Sequence, residues 1–205
     1  MIDQNPSALD PKINSYYLKT FSGMDVAGQT LQDIEFEACT FIKCDFSDAT
    51  LRGFRFIDCS FTDCTLSHVK LPSSRFRSVS FERCLIVDIN WTVLEWSRLS
   101  TSAELSFRDC TLTDSIFFGL HLDELVMQNC KARSVDLREA SLKKADVSYT
   151  DFYGALFGKS NLTDADFTES TGFDIDVLNN VMTRSKFSRY EAVRLLSGLD
   201  IEVVD

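Results

Sequence analysis

Proline, glycine and histidine are scarce, at 3, 8 and 2 of 205 residues. So little Pro and Gly excludes collagen-like, linker-like and low-complexity chains. The two histidines, His68 and His121, stand alone and belong to no metal or catalytic motif. No apolar run approaches the ~18 residues that a membrane-spanning helix needs. Basic residues are also short: 21 Lys and Arg face 31 Asp and Glu, a net charge of −10. That balance excludes nucleic-acid binding by phosphate neutralisation, which needs clustered cations. A glycine-rich phosphate loop, G-x-S-x-G and H-E-x-x-H are all missing, so the expectation is a non-enzyme with no cofactor and no metal. Met1-Ile2-Asp3-Gln4 lacks the basic and apolar regions of a signal peptide, and the expected compartment is the cytoplasm.

What the chain has in quantity is apolar side chains, 44% of the total, with 17 Phe among them. They recur at a fixed step. Every fifth residue from Phe21 to Trp96 is large and apolar, sixteen positions in succession. The step resumes one residue out of phase at Phe107 and continues for thirteen positions to Phe167, with Ala132 the only small member. A weaker continuation runs through Val177, Met182 and Phe187, interrupted at Gly172. Neither an α-helix nor a flat strand gives a period of five. A chain that turns a corner every five residues does, because one side chain per segment then points to the axis. Four segments close a square coil of about 20 residues, and about eight coils at ~4.8 Å each form a rod ~40 Å long. The fold class expected is therefore all-β, a quadrilateral parallel β-helix in which each coil touches only its neighbours.

The position two before each core residue is small in most segments, as at Cys39, Ala49, Cys64, Ala140 and Ala165. Phe54, Leu120 and Leu125 depart from this, so irregular coils are expected there. All seven cysteines occupy this position. Cys44, Cys64 and Cys84 are 20 apart and should stack in one column with parallel side chains. Disulfides need converging Cβ vectors, and zinc sites need closely spaced ligands, so buried reduced thiols are expected.

Three segments escape the repeat. Residues 1–18 carry Pro6 and Pro11 and read as a tail or N-terminal cover. The solenoid itself is expected over 19–187, with its register broken at 97–106. That break is open to two readings: a harmless bulge or small loop, or a projecting element in which Arg98, Leu99, Ser100, Thr101 and Ser102 contact a partner. At the C-terminus, over 188–205, Ser188 and Glu191 have the spacing of a capping box. A helix is expected from about Arg189 to Ser197, stopped by Gly198, with a short strand at 201–204. This end would cap the last coil, and its apolar residues Tyr190, Val193, Leu195, Leu196, Leu199 and Ile201 would also join two copies.

The charge is uneven. Residues 1–100 hold 13 acids and 10 bases, while 101–205 hold 18 and 11. Between Asp146 and Met182 there are seven acids, Asp146, Asp151, Asp164, Asp166, Glu169, Asp174 and Asp176, against one base, Lys159. This acidity keeps an elongated protein soluble, and where charge sets the partner that partner is expected to be basic.

Units such as Ala165-Asp166-Phe167-Thr168-Glu169, Ser160-Asn161-Leu162-Thr163-Asp164 and Cys44-Asp45-Phe46-Ser47-Asp48 resemble the pentapeptide-repeat family. That resemblance implies a right-handed quadrilateral β-helix. The ending from Tyr190 to Val204 is similar to the topoisomerase-protecting members: the Qnr quinolone-resistance proteins and the self-resistance proteins against albicidin and microcin B17. Ile89-Asn90-Trp91, Leu105-Ser106-Phe107, Phe118-Gly119-Leu120 and Gly172-Phe173-Asp174-Ile175-Asp176 look most like the albicidin-resistance protein. What this resemblance implies is protection of DNA gyrase, and sometimes topoisomerase IV, by a homodimeric rod that mimics duplex DNA. The seven acids above would then form the gyrase-binding surface. The alternative is a scaffold or adaptor of the same fold with another protein partner.

Overall fold

The computed structural model describes residues 8–97, 103–199 and 201. The chain winds as a right-handed, four-faced parallel solenoid of about eight coils. Face 1 stacks Thr20–Ser22, Thr40–Ile42, Ser60–Thr62, Val79–Glu82, Leu105–Arg108 and Val126–Gln128. Face 4 stacks Ser15–Tyr17, Glu35–Glu37, Arg55–Ile57 and Arg75–Arg77. Between them in chain order lie face 2, around Val26 and Phe46, and face 3, around Leu31 and Leu51. The first strand begins at Ser15, so Tyr16, inside the segment read as a tail, already fills a core position.

The five-residue step has a backbone cause. The residue two after each core position has φ between +50° and +72° at every segment from Leu18 to Asp88 and from Asp109 to Glu169. That left-handed residue makes the corner. It costs a non-glycine residue about 1–2 kcal/mol, least where Asp or Asn stands. Most corner N–H groups repay part of this by donating to the next coil, as Lys43 N does to Thr62 O at 2.9 Å and Asp48 N to Ser67 O at 2.8 Å.

At Gly172 the corner also meets backbone. Its φ is +70°, and a Cβ there would lie 2.9 Å from Tyr153 N. Gly28 has φ +66° with nothing within 4 Å of the same point. Gly172→Ala should therefore cost about 1–3 kcal/mol, and Gly28→Ala about 1 kcal/mol, in urea unfolding. Equal losses would show that strain of the corner alone sets the effect.

The core is a set of ring columns. On face 1, Phe21, Phe41, Phe61, Phe81 and Phe107 stack at 5.1, 4.5, 4.9 and 5.3 Å. On face 4, Tyr16, Phe36, Phe56 and Phe76 follow at 5.3, 5.2 and 4.8 Å. From Leu112 to Val147 the core positions turn aliphatic, apart from Phe117. Phe54 and Leu125 are fully buried despite their size, and Leu120 is half-buried.

Coil partners are 20 residues apart on either side of the break and 26 apart across it, as in Phe61↔Phe81 and Phe81↔Phe107. The sequence shows a one-residue slip; the structure shows six inserted residues, one whole segment plus one. They fall between Trp96 and Ala103, which bonds Asp123 O. Arg98, Leu99, Ser100, Thr101 and Ser102 lie outside the described residues.

The 26-residue offset extends the cysteine column to Cys44, Cys64, Cys84, Cys110 and Cys130, with Thr150 and Ser170 beyond. All seven cysteines are free and buried. Each thiol of the column donates to a carbonyl of its own segment, as Cys84 does to Glu82 O at 3.3 Å. Hydrogen bonding along the column, then burial, pushes the thiols of Cys84 and Cys110 up to about 12.

The C-terminus differs from expectation. Glu191–Leu196 is a 3-10 helix rather than an α-helix, and Tyr190 makes no side-chain cap. No capping box forms, because Ser188 turns to the previous coil. Its hydroxyl accepts from Glu169 N and donates to Glu169 Oε1, both at 2.8 Å. Glu191 instead pairs with Arg194 at 2.7 Å. Gly172 breaks the core step, and Phe173 and Ile175, both buried, take over its role. Ile201 is in no strand, and 202–204 lie outside the described residues.

Candidate acidic partner-binding surface

The Asp or Asn one before each core residue does local work. Its Oδ1 accepts the N–H two residues on, across the core side chain. Asp25, Asp45, Asp151, Asn161 and Asp166 do so at 2.9, 2.8, 3.0, 3.1 and 2.9 Å. This Asx arrangement pins the start of each segment and explains why the residue type recurs there.

That local role engages the acids expected to face a partner. Asp146 accepts from Ser148 N and Oγ and, through Oδ2, from Gln128 at 2.6 Å. Asp151 pairs with Arg133 at 2.6 Å, and Asp166 with Lys186 at 3.1 Å. Asp164 meets Arg184 through two parallel bonds of 2.6 Å. Glu169 is held by Ser188. Asp174 accepts from Ser197 at 3.4 Å, and Asp176 from Leu178 N at 2.8 Å. The seven do not share one face. Asp146 and Asp166 sit on face 1, Asp151 on face 2, Asp164 and Glu169 at the two corners of face 1, and Asp174 and Asp176 in the irregular last coil.

A more open acidic edge lies elsewhere. Asp48, Asp88 and Asp114 occupy one corner column between faces 2 and 3, at offsets of 40 and 26 residues, and all three are exposed. Asp25 and Asp45 stack beside it on face 2. Among the described residues none of these carboxylates makes an ion pair with Lys or Arg, and Asp48 lies 3.7 Å from the His68 imidazole. The sequence signal for this edge is Asp at the corner position, stepped by two coils and then by one. It was hidden because the step across the break is 26.

Ion pairs within a segment and between adjacent coils also set a pH response. The Arg138 guanidinium holds the Asp136 carboxyl below its ordinary range, and Arg184 does the same for Asp164. A lowered native pKa means the unfolded state binds more protons. Stability from these groups is full above the unfolded value of ~3.9 and is lost as pH falls through the native value. Melting temperature followed from pH 6 to pH 2 should fall below about pH 4. Asp136→Asn should shallow that fall; an unchanged acid limb would exclude the pair as a contributor.

The apolar end is split between two roles. Leu195 packs against the core, whereas Tyr190, Val193 and Ile201 are 88%, 52% and 55% exposed. Leu196 and Leu199 are half-buried. Leu178 and Val181 of the last coil add further exposed apolar surface. No helix among the described residues is long and apolar enough to cross a membrane.

A model of the pentapeptide repeat region matches residues 34–103, and a model of eight pentapeptide repeats matches 121–158, together more than half of the chain. The chain belongs to the pentapeptide-repeat family. A search of curated proteins gives no significant match. Among solved structures, this pentapeptide-repeat chain is similar to full-length QnrB1, a plasmid-mediated fluoroquinolone resistance protein, at 19% identity and a TM-score of 0.57. That match covers 89% of this chain and 100% of the other. A trypsin-treated variant of QnrB1 matches at 21% identity and a TM-score of 0.56, over 97% and 96%. HetL, a pentapeptide-repeat protein involved in heterocyst differentiation regulation in the cyanobacterium Nostoc, matches at 10% identity and a TM-score of 0.50, over 85% and 89%. At these identities the likeness establishes the β-helix fold.

Proposed function

We propose that this pentapeptide-repeat protein binds DNA gyrase, and topoisomerase IV where present, and protects it from inhibitors that trap the cleaved complex. The inhibitors in view are quinolones and albicidin, and the outcome is resistance or self-resistance in the cytoplasm. The observation that carries this reading is an acidic rod, −10 overall, with an Asp edge that makes no ion pair with Lys or Arg among the described residues. A rod of regularly spaced carboxylates offers a basic DNA-binding groove a field like that of a duplex. The end-to-end likeness to a fluoroquinolone resistance protein supports it, as does the similarity of the C-terminal segment to that group. In this reading two rods join through the exposed apolar end, doubling the length presented.

A second reading, an adaptor for another protein partner, draws on the neutralised state of Asp151, Asp164 and Asp166. A supercoiling assay with purified gyrase, with and without a quinolone or albicidin, separates the two. Gyrase protection predicts restored supercoiling in the presence of inhibitor. Supercoiling unchanged at every protein concentration would leave the adaptor.

A further inference from the structure

One coil step on face 3 is open. At other steps of this face, such as those from Leu51 and Phe117, the core residue and the corner residue each donate a backbone N–H to the next coil. Leu51 N bonds Lys70 O at 2.8 Å, Gly53 N bonds Pro72 O at 3.0 Å, Phe117 N bonds Asp136 O at 2.8 Å and Gly119 N bonds Arg138 O at 2.9 Å. The equivalent donors one coil on from Leu51 and Gly53 are Leu71 N and Ser73 N, and neither has a hydrogen-bond partner among the described residues. The cause is the facing segment. Trp91–Val93 winds as a 3-10 turn, with Asn90 Oδ1 accepting from Thr92 N and Leu94 N donating to Trp91 O. The carbonyls of Asn90 and Thr92 therefore do not meet the waiting donors. The step is pinned on both sides, by His68 N to Val87 O at 2.8 Å and Glu95 N to Ser74 O at 2.8 Å. The opening is a fixed cleft rather than a frayed end.

This cleft has a volume of about 410 Å³. Arg52 and Lys70 line it, both exposed and neither in an ion pair among the described residues. Other cations, among them Arg55, Arg83, Arg133 and Arg184, are instead taken up by carboxylates of the neighbouring coil. Leu71, Pro72 and Val93 give the cleft an apolar wall, and Asp88 is its one carboxylate. By ladder geometry the Leu71 and Ser73 N–H groups point along the rod axis into the gap. Two free backbone donors beside a guanidinium and an ammonium are the chemistry that binds an oxyanion.

We infer that this open step is a binding site for a small organic oxyanion, a phosphate ester or a carboxylate, whose apolar part rests on Leu71, Pro72 and Val93. The site borders the acidic edge through Asp88 and does not depend on the gyrase reading. Arg52 supplies paired N–H donors, Lys70 a point charge, and the backbone fixes the orientation.

The test is a titration of the 15N-labelled full chain with inorganic phosphate and with citrate at constant ionic strength. The expected result is saturable shifts of the Leu71 and Ser73 amides with at least one of them. Saturation by phosphate alone identifies a phosphate site; saturation by citrate alone identifies a carboxylate site. The double variant Arg52→Gln, Lys70→Gln should weaken binding at least about tenfold, since charge-assisted bonds contribute ~1.5–3 kcal/mol each. Its melting temperature should hold, because both side chains are exposed and unpaired. Arg184→Gln, outside the cleft, should leave binding unchanged. Non-saturating shifts spread over the surface, or saturation that survives the double variant, would mean an adventitious ion only and would overturn the assignment.

Discussion

Phe61→Ala should cost about 3–5 kcal/mol, among the largest losses expected on face 1. The Phe61 ring stacks between Phe41 at 4.5 Å and Phe81 at 4.9 Å, and meets Phe56 and Phe46 edge-on at 5.3 and 5.8 Å. Truncation removes four ring contacts at once and leaves a cavity that the rigid coil cannot close. Because coils touch only their neighbours, the damage should be local. Hydrogen exchange should quicken first at Thr40–Ile42 and Val79–Glu82, the strands on either side, while Ala132–Val147 keeps its protection. A loss below about 1 kcal/mol, or exchange that rises evenly along the rod, would contradict the column as the unit of stability.

The second large effect concerns the C-terminal end. If two rods join there, Tyr190→Asp with Val193→Asp should weaken self-association by at least about thirtyfold, because an exposed aromatic anchor contributes ~2 kcal/mol or more to such contacts. Tyr190 is 88% exposed and makes no cap contact, so its replacement leaves the fold intact. Sedimentation should convert from dimer to monomer with an unchanged melting curve. A wild-type chain that stays monomeric at high concentration would remove the end-to-end assembly altogether. Leu195 is the wrong residue for this test, since it packs on the core and its loss would uncap the last coil.

Most of the fold is legible in the sequence because one side chain per segment must fill the axis. The aromatic and aliphatic columns, the four faces and the buried thiols all follow from that step. What escaped has specific causes. Counting by five cannot separate an insertion of one residue from one of six, since both leave the same phase. Only the backbone pairing of Phe81 with Phe107 decides it. The Ser188 and Glu191 spacing signals a capping box locally, but Glu169 in the previous coil takes the Ser188 hydroxyl. Tertiary contact overrides the local signal.

The acids were the hardest to read. An Asp before a core residue looks like surface charge, yet at Asp151 and Asp166 one oxygen holds the segment and the other a cation of an adjacent coil. The freer carboxylates, Asp48, Asp88 and Asp114, sit where the sequence shows only a turn residue. Their column becomes visible once the 26-residue offset is known. The open step beside Trp91 left no mark in the repeat, because Trp91 keeps its core phase while its backbone coils.

Competition between this protein and duplex DNA for gyrase tests the central proposal most directly. Fluorescently labelled duplex is bound to purified gyrase, the protein is added, and displacement is followed by anisotropy at rising salt. DNA mimicry predicts saturable displacement that weakens steeply with salt, as screening of a charged interface requires. Asp48→Asn with Asp88→Asn and Asp114→Asn should reduce displacement several-fold without unfolding the rod. Duplex that stays fully bound at saturating protein would contradict the account.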